Sequence, residues 1–284
     1  MTLKQALIRA REKLDAAGID DASLEAEILL RHVLESTRAQ LYTDLDKELK
    51  PEQAELYQKL IARRLNGEPS AYITNQREFY GLDLFVDSRV LIPRPETEIL
   101  VEKTLECAQN YSAPVIADIG TGCGAIAICL AINLPEAKIY ATDLSAGALE
   151  VARLNCEKHR VNERVELLLG DMLNPLPEPL DIIVANLPYV KTSELSGVSS
   201  THSEPELALD GGISGLEKIQ KLCHQASKKL NPDGCLLLEI GLGQKEGVTS
   251  TLRRLFPSGK IEATPDLAGI DRVVSLTLRA SHKV

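Results

Sequence analysis

Asp118-Ile119-Gly120-Thr121-Gly122-Cys123-Gly124-Ala125 is the stretch on which the fold turns. A short apolar run, Val115–Ile119, leads into it, and a helix opens out of it. Glycines here let the backbone turn sharply and approach a ligand closely, as in the first strand–loop–helix unit of an open α/β sheet. The next short run, Lys138–Thr142, is closed by Asp143, about the distance downstream at which a nucleoside binder places a ribose-binding carboxylate. These residues alone leave the ligand open. Gly120, Gly122 and Ala125 also satisfy the Ala-ending dinucleotide fingerprint, so a dehydrogenase remains possible, as does a tight turn without a ligand.

Working outward, further short apolar runs occur at Val165–Leu169, Asp181–Ala185 and Cys235–Ile240, and Arg272–Leu278 reads as a final strand. Helical segments such as Ala146–Lys158 and Leu216–Leu230 separate most of them. Strands alternating with helices predict a mostly parallel sheet covered on both faces. Gly170-Asp171-Met172 follows the third strand, in a loop that would lie beside an adenine or serve as a plain strand-to-helix turn.

Ahead of this region the chain is helical. Leu3, Leu7, Ala10 and Leu14 recur at helical spacing between a Thr2 cap and Gly18, and a second segment starts near Ser23. Pro51 opens a third helix that ends at Asn66-Gly67. We expect a small helical bundle over residues 1–74, a β-hairpin linker over 75–92 built on Phe79–Val86, and a catalytic domain over 93–284. Pro93 and Pro95 punctuate its start, and Glu96, Thr97 and Glu98 begin a helix.

Composition narrows the function classes. The 284 residues are 44% hydrophobic with a formal net charge of -9, so the chain lacks the overall basic footprint of a nucleic-acid binder. Residues 1–74 hold 11 Lys and Arg against 13 Asp and Glu, which gives no electrostatic case for nucleic acid there either. Cys107, Cys123, Cys129, Cys156, Cys223 and Cys235 form no Cys-x-x-Cys pair and accompany no His cluster, so the expectation is buried free thiols in a reducing compartment and no metal. The N-terminus reads as an amphipathic helix and not a signal peptide, and no apolar run approaches the roughly 20 residues of a membrane span. A cytoplasmic location is expected.

The motif that selects the chemistry is Asn186-Leu187-Pro188-Tyr189, which ends the fourth strand, where the sites of open α/β sheets lie. An amide nitrogen is a poor nucleophile, and two acceptors can hold its hydrogens and aim it at a methyl sulfonium. Asn186 offers a side-chain carbonyl and Leu187 a backbone carbonyl, whose direction Pro188 restricts. Tyr189 supplies a flat wall and a hydroxyl. Such catalysis is positioning and electrostatic preorganisation, without a strong base. As an isolated tetrapeptide the motif would read as a turn. One strand–helix–strand unit beyond the glycine loop and Asp143, the functional reading prevails.

With these residues in view, the chain resembles the HemK/PrmC-type release factor glutamine methyltransferases over nearly its whole length. The resemblance is carried by Gly67-Glu68-Pro69 with Tyr72-Ile73, Glu78-Phe79-Tyr80-Gly81 and Leu91-Ile92-Pro93-Arg94-Pro95-Glu96-Thr97-Glu98. Glu204-Pro205 with Ala208-Leu209-Asp210-Gly211-Gly212, then Glu239-Ile240-Gly241 with Gln244, and Gly269-Ile270-Asp271-Arg272 extend it. It implies a class I S-adenosylmethionine-dependent methyltransferase fold, Rossmann-like, with a mostly parallel sheet, an antiparallel last strand and an N-terminal helical domain. It implies that Gly120, Thr121, Gly122, Cys123, Gly124, Asp143, Met172 and Asn186 contact S-adenosylmethionine. It implies that Asn186, Leu187, Pro188 and Tyr189 hold the acceptor glutamine of the Gly-Gly-Gln loop of class 1 peptide chain release factors, with no metal. The partner implied is a release factor, bound by a monomer, with no nucleic acid and no membrane. Two positions depart from the family pattern. Leu187 stands where a first proline is usual, and Thr201-His202-Ser203 precedes Glu204 where an aromatic residue is expected. A backbone acceptor survives the first change, so Leu187→Pro should be tolerated; the second bears on fine substrate contacts.

The rival readings are a nucleic-acid adenine N6-methyltransferase, whose exocyclic amino group presents the same two hydrogens, a dehydrogenase, a non-catalytic binding module, and a glutamine methyltransferase of a ribosomal protein. The first would want a basic surface and a base-stacking platform, and the chain has no Trp. The second gives Asn186–Tyr189 no purpose.

Overall fold

A computed structural model describes residues 1–197 and 204–278. The chain divides into two compact units, Met1–Gln76 and Arg77–Val284. Thr201-His202-Ser203 lies outside the described residues.

The first unit holds α1 (Leu3–Ala16), α2 (Ala22–Leu34), α3 (Arg38–Thr43), α4 (Pro51–Leu65) and α5 (Ser70–Thr74). Thr2 and Gln5 form a reciprocal capping box that satisfies orphan N–H groups at the start of α1. Leu3, Ala6, Ala10 and Leu14 then face a core shared with Leu29 and Leu30 of α2 and Leu60 and Ile61 of α4. Glu25 ties the bundle together by accepting from Arg64 Nε at 2.6 Å and Ser70 Oγ at 3.2 Å.

The second unit opens with the hairpin β1 (Arg77–Phe79) and β2 (Leu82–Leu84). Tyr80 and Gly81, both at positive φ, make its two-residue turn, the geometry that matches strand twist. Then follow α6 (Thr97–Ala108), β3 (Val115–Ile119), α7 (Ala125–Asn133), β4 (Lys138–Asp143), α8 (Ala146–Lys158), β5 (Val165–Leu169) and β6 (Leu180–Ala185). They are succeeded by α9 (Glu217–Lys229), β7 (Leu230–Glu239), α10 (Lys245–Leu255), β8 (Lys260–Pro265) and β9 (Asp271–Thr277).

The seven-stranded sheet has the order β5-β4-β3-β6-β7-β9-β8. β5 to β7 run parallel, and β9 is antiparallel to both neighbours. Alternate residues face opposite layers. Ala117, Ile119, Ile183, Ala185, Leu236 and Leu238 join α9 and α10 in one core, while Ile116, Asp118, Ile182, Val184 and Leu237 lie on the other face. The order reverses between β3 and β6, and at such a switch point a crevice opens at the carboxyl ends of the strands. Gly120 and Asn186 follow those two ends directly.

The structure corrects the expectation of free thiols throughout. Cys107 of α6 and Cys235 of β7 form a disulfide, whereas Cys123, Cys129, Cys156 and Cys223 are free and buried. The pairing follows from α6 packing on β7, a tertiary fact that no short Cys spacing reveals. Among the described residues, no helix is long and apolar enough to cross a membrane.

Candidate active site

The glycine loop is held from beneath. Asp118, fully buried on β3, accepts from Thr121 Oγ1 at 2.6 Å and from Ala127 N at 3.2 Å, which pins both ends of the loop. Burial pushes its carboxyl up to about 7. The three glycines serve different ends. Gly120 has φ +72, and a Cβ there would meet Leu187 Cδ2 at 3.2 Å. Gly122, at φ +56, faces open space, so its backbone is accessible from the cleft. Gly124, at φ +84, admits Ile128 and Ala152, whose atoms would lie 3.1 and 3.3 Å from a Cβ. Its role is helix packing.

Asp143 ends β4 and locks the loop from the side. Its Oδ2 accepts from Gly122 N at 2.9 Å and its Oδ1 from Ser145 N at 2.8 Å. Burial raises its pKa, and these N–H donors partly offset that. Each carboxylate oxygen keeps a lone pair for a further donor. Met172 lines the same cleft at φ +54, a conformation costly for a non-glycine residue and found where structure over-determines it.

Gly120, Gly122, Asp143, Met172, Asn186, Leu187 and Pro188 line one cleft, with Val90, Leu91, Leu144, Pro205 and Leu207 completing its walls. Thr121, Cys123, Gly124 and Tyr189 are not among its lining residues. Cys123 is buried, and its carbonyl accepts from Asn155 Nδ2 at 2.9 Å. The Leu187 side chain is buried in the sheet core against the glycine loop. Leu187→Ala should therefore destabilise the protein by about 3 kcal/mol by emptying that space, measured by denaturant unfolding. Leu187→Pro loses the same packing, a cost the sequence did not show.

Around Asn186-Leu187-Pro188-Tyr189 the backbone is clamped. Val190 N donates to Leu209 O at 3.1 Å and Gly211 N to Val190 O at 2.8 Å. A Cβ on Gly211 would sit 2.6 Å from Tyr189 Cα, so only glycine permits this approach. Gln244 Nε2 donates to Tyr189 O at 3.0 Å and to Gly215 O at 3.1 Å, and its Oε1 accepts from Gly241 N at 2.9 Å. Ile92 and Glu204 stand next in sequence to the cleft residues Leu91 and Pro205, and Arg94 Nη2 and Ile92 N both donate to buried Glu204, at 2.5 and 3.1 Å.

Two residues here escaped sequence reasoning. Asn186 Nδ2 donates to the Thr97 hydroxyl at 3.1 Å, which leaves Asn186 Oδ1 as the free end. Tyr189 donates to Glu239 Oε1 at 3.5 Å. Burial holds the Tyr189 phenol neutral, raising its pKa to about 12. In the sequence Thr97 stands out only within a helix start and the Leu91–Glu98 family stretch, and Glu239 only within the apolar run Cys235–Ile240 and a family block, and neither pattern gives them a role at the site.

Sheet order, switch-point cleft and glycine loop together define a class I methyltransferase fold. A ribosomal protein L11 methylase from Lactobacillus delbrueckii subsp. bulgaricus shares that fold, at a TM-score of 0.51 and 21% identity over 68% of this chain and 84% of that one. Residues 5–74 match the PrmC N-terminal domain family and residues 95–201 the methyltransferase small domain family. The release factor glutamine methyltransferase of Moorella thermoacetica is 44% identical over 96% of this chain and 97% of its own length. That of Koribacter versatilis is 40% identical over 96% and 98%. The chain belongs to the release factor glutamine methyltransferase family.

Proposed function

We propose that this protein transfers a methyl group from S-adenosylmethionine to the side-chain amide nitrogen of the glutamine in the Gly-Gly-Gln loop of class 1 peptide chain release factors. The observation that carries the reading is the orientation of Asn186 at the switch point, with its Nδ2 engaged by Thr97 and its Oδ1 free. A free acceptor beside the nucleoside cleft is what an amide nitrogen, a donor of two hydrogens, needs.

The residues fit the cofactor. Asp143 would accept from the ribose hydroxyls, Leu144 and Met172 would supply apolar walls for the adenine, and the open backbone at Gly122 would face the amino-acid portion. S-adenosylmethionine supplies an electrophilic methyl group on a sulfonium. The chain's own part is to hold the acceptor nitrogen in line through Asn186 Oδ1 and the Leu187 carbonyl. Apolar walls exclude water, and the amide loses its surplus proton to solvent after transfer. Calorimetry should show binding of S-adenosylmethionine and its demethylated product and none of NAD; NAD binding alone would sink the reading.

Methylation of a purified release factor with labelled S-adenosylmethionine tests the substrate. Label should enter the intact factor and be lost when its Gly-Gly-Gln glutamine is replaced by alanine. Label that persists in the replaced factor would refute the assignment.

The helical unit before Arg77 is assigned to recognition of the protein substrate, on the grounds of its separate core and its position ahead of the cofactor motifs. A chain beginning at Arg77 should keep cofactor affinity and methylate release factor poorly at limiting substrate. Unchanged turnover by the folded fragment would contradict this role.

A further inference from the structure

We infer that Glu239, acting through Thr97, decides which end of the Asn186 side-chain amide faces the acceptor nitrogen, and is thus a positioning residue for methyl transfer. The inference rests on the acceptor reading of Asn186 above. The parallel pairing of Ala185 with Leu238 brings Asn186 and Glu239 side by side beyond the last rungs of β6 and β7, on the face that α6 covers. Thr97, the first residue of α6, is buried between them at 4% exposure, and Glu239 is at 2%.

A threonine hydroxyl carries one hydrogen. Because Thr97 Oγ1 accepts from Asn186 Nδ2 at 3.1 Å, its own hydrogen is left to turn toward Glu239, whose buried Oε2 has no hydrogen-bond partner. With the carboxylate ionised, donation runs from Asn186 to Thr97 to Glu239, and Asn186 Oδ1 is left to accept. With the carboxyl protonated, the acid donates to Thr97 and the Thr97 hydrogen turns toward Asn186. The Asn186 amide is then no longer held in one orientation, and its flipped form sets a donor against a donor. An isolated threonine would serve either orientation equally; the buried charge removes that degeneracy.

The groups around Glu239 set where the change falls. Burial pushes its carboxyl up to about 7, Thr97 opposes this, Glu96 beside α6 adds to it, and Arg272 of β9 and Tyr189 after β6 oppose it. Arg94 and Arg272 also lie near the Tyr189 phenol and lower its pKa, which burial nevertheless keeps high. The ionised form is the competent one, so turnover should rise as pH climbs through the Glu239 pKa and fall below it.

The test compares single-turnover rates and S-adenosylmethionine affinity across neutral pH for wild type, Thr97→Val, Thr97→Ser, Glu239→Gln and Asn186→Ala. Thr97→Val should cut the rate on the order of tenfold, one hydrogen bond's worth, with cofactor affinity little changed. Thr97→Ser should restore most of it, and Glu239→Gln should slow transfer and abolish the acidic limb. If Thr97→Val and Glu239→Gln match wild type in rate and pH profile while Asn186→Ala is inactive, the positioning role is overturned and the acceptor reading stands. Equal losses in Thr97→Val and Thr97→Ser, with weakened cofactor binding, would also overturn it as mere structure. An active Asn186→Ala would overturn both.

Discussion

Asn186→Ala is expected to lower the single-turnover rate of methyl transfer on the order of a hundredfold or more, by analogy with losing one preorganised oxyanion-hole donor at roughly 3 kcal/mol. Asn186 Oδ1 is the free end of an amide whose other end is fixed on Thr97. Its removal takes away an acceptor aimed at the nucleophile without touching the Asp143 side of the cleft, so cofactor affinity should change far less than the rate. Asn186→Asp should keep more activity than Asn186→Ala because an acceptor remains. It also loses the donor to Thr97 and adds a negative charge near Glu239, so its retained activity should depend on pH. Single-turnover rates at saturating cofactor check both variants.

Asp143→Ala should weaken S-adenosylmethionine binding by about a hundredfold, the scale of two charge-assisted hydrogen bonds at roughly 1.5 kcal/mol each. The effect has two parts. The carboxylate braces Gly122 and Ser145, and its remaining lone pairs would meet the ribose hydroxyls. Asp143→Asn should not rescue. Both oxygens already accept backbone N–H groups, so an amide would set its NH2 against one of them. Calorimetric titration distinguishes the cases, and wild-type affinity in Asp143→Ala would remove the ribose from this position.

Much of this architecture was legible because the apolar runs are short and punctuated. Val115–Ile119 and Val165–Leu169 emerge as strands with the bounds read from the sequence. β8 was not. Lys260–Pro265 mixes charge with a terminal proline on an edge strand, and no residue in it is fully buried, so no hydrophobic signal marks it. β7 begins at Leu230, ahead of the apolar run at Cys235–Ile240, because Pro232-Asp233-Gly234 carries no hydrophobic signal; the pairing shifts register there, between Leu180 and Ile182 of β6.

At the site, the glycine loop and Asn186–Tyr189 were visible as local patterns. The hydrogen bond from Asn186 to Thr97 was not, because it exists only once α6 packs against β6 and β7. The glycine pattern likewise gave no hint that Gly124 serves packing while Gly122 stays open.

The central claim is methylation of a glutamine side chain, and locating the methyl group tests it most directly. Purified protein is incubated with labelled S-adenosylmethionine and a cell extract, and the modified residue is identified by mass spectrometry. The account predicts one methyl group on the side-chain nitrogen of the glutamine in the Gly-Gly-Gln loop of a release factor. Label on an adenine of nucleic acid, or on a ribosomal protein with release factors unmodified, would contradict it.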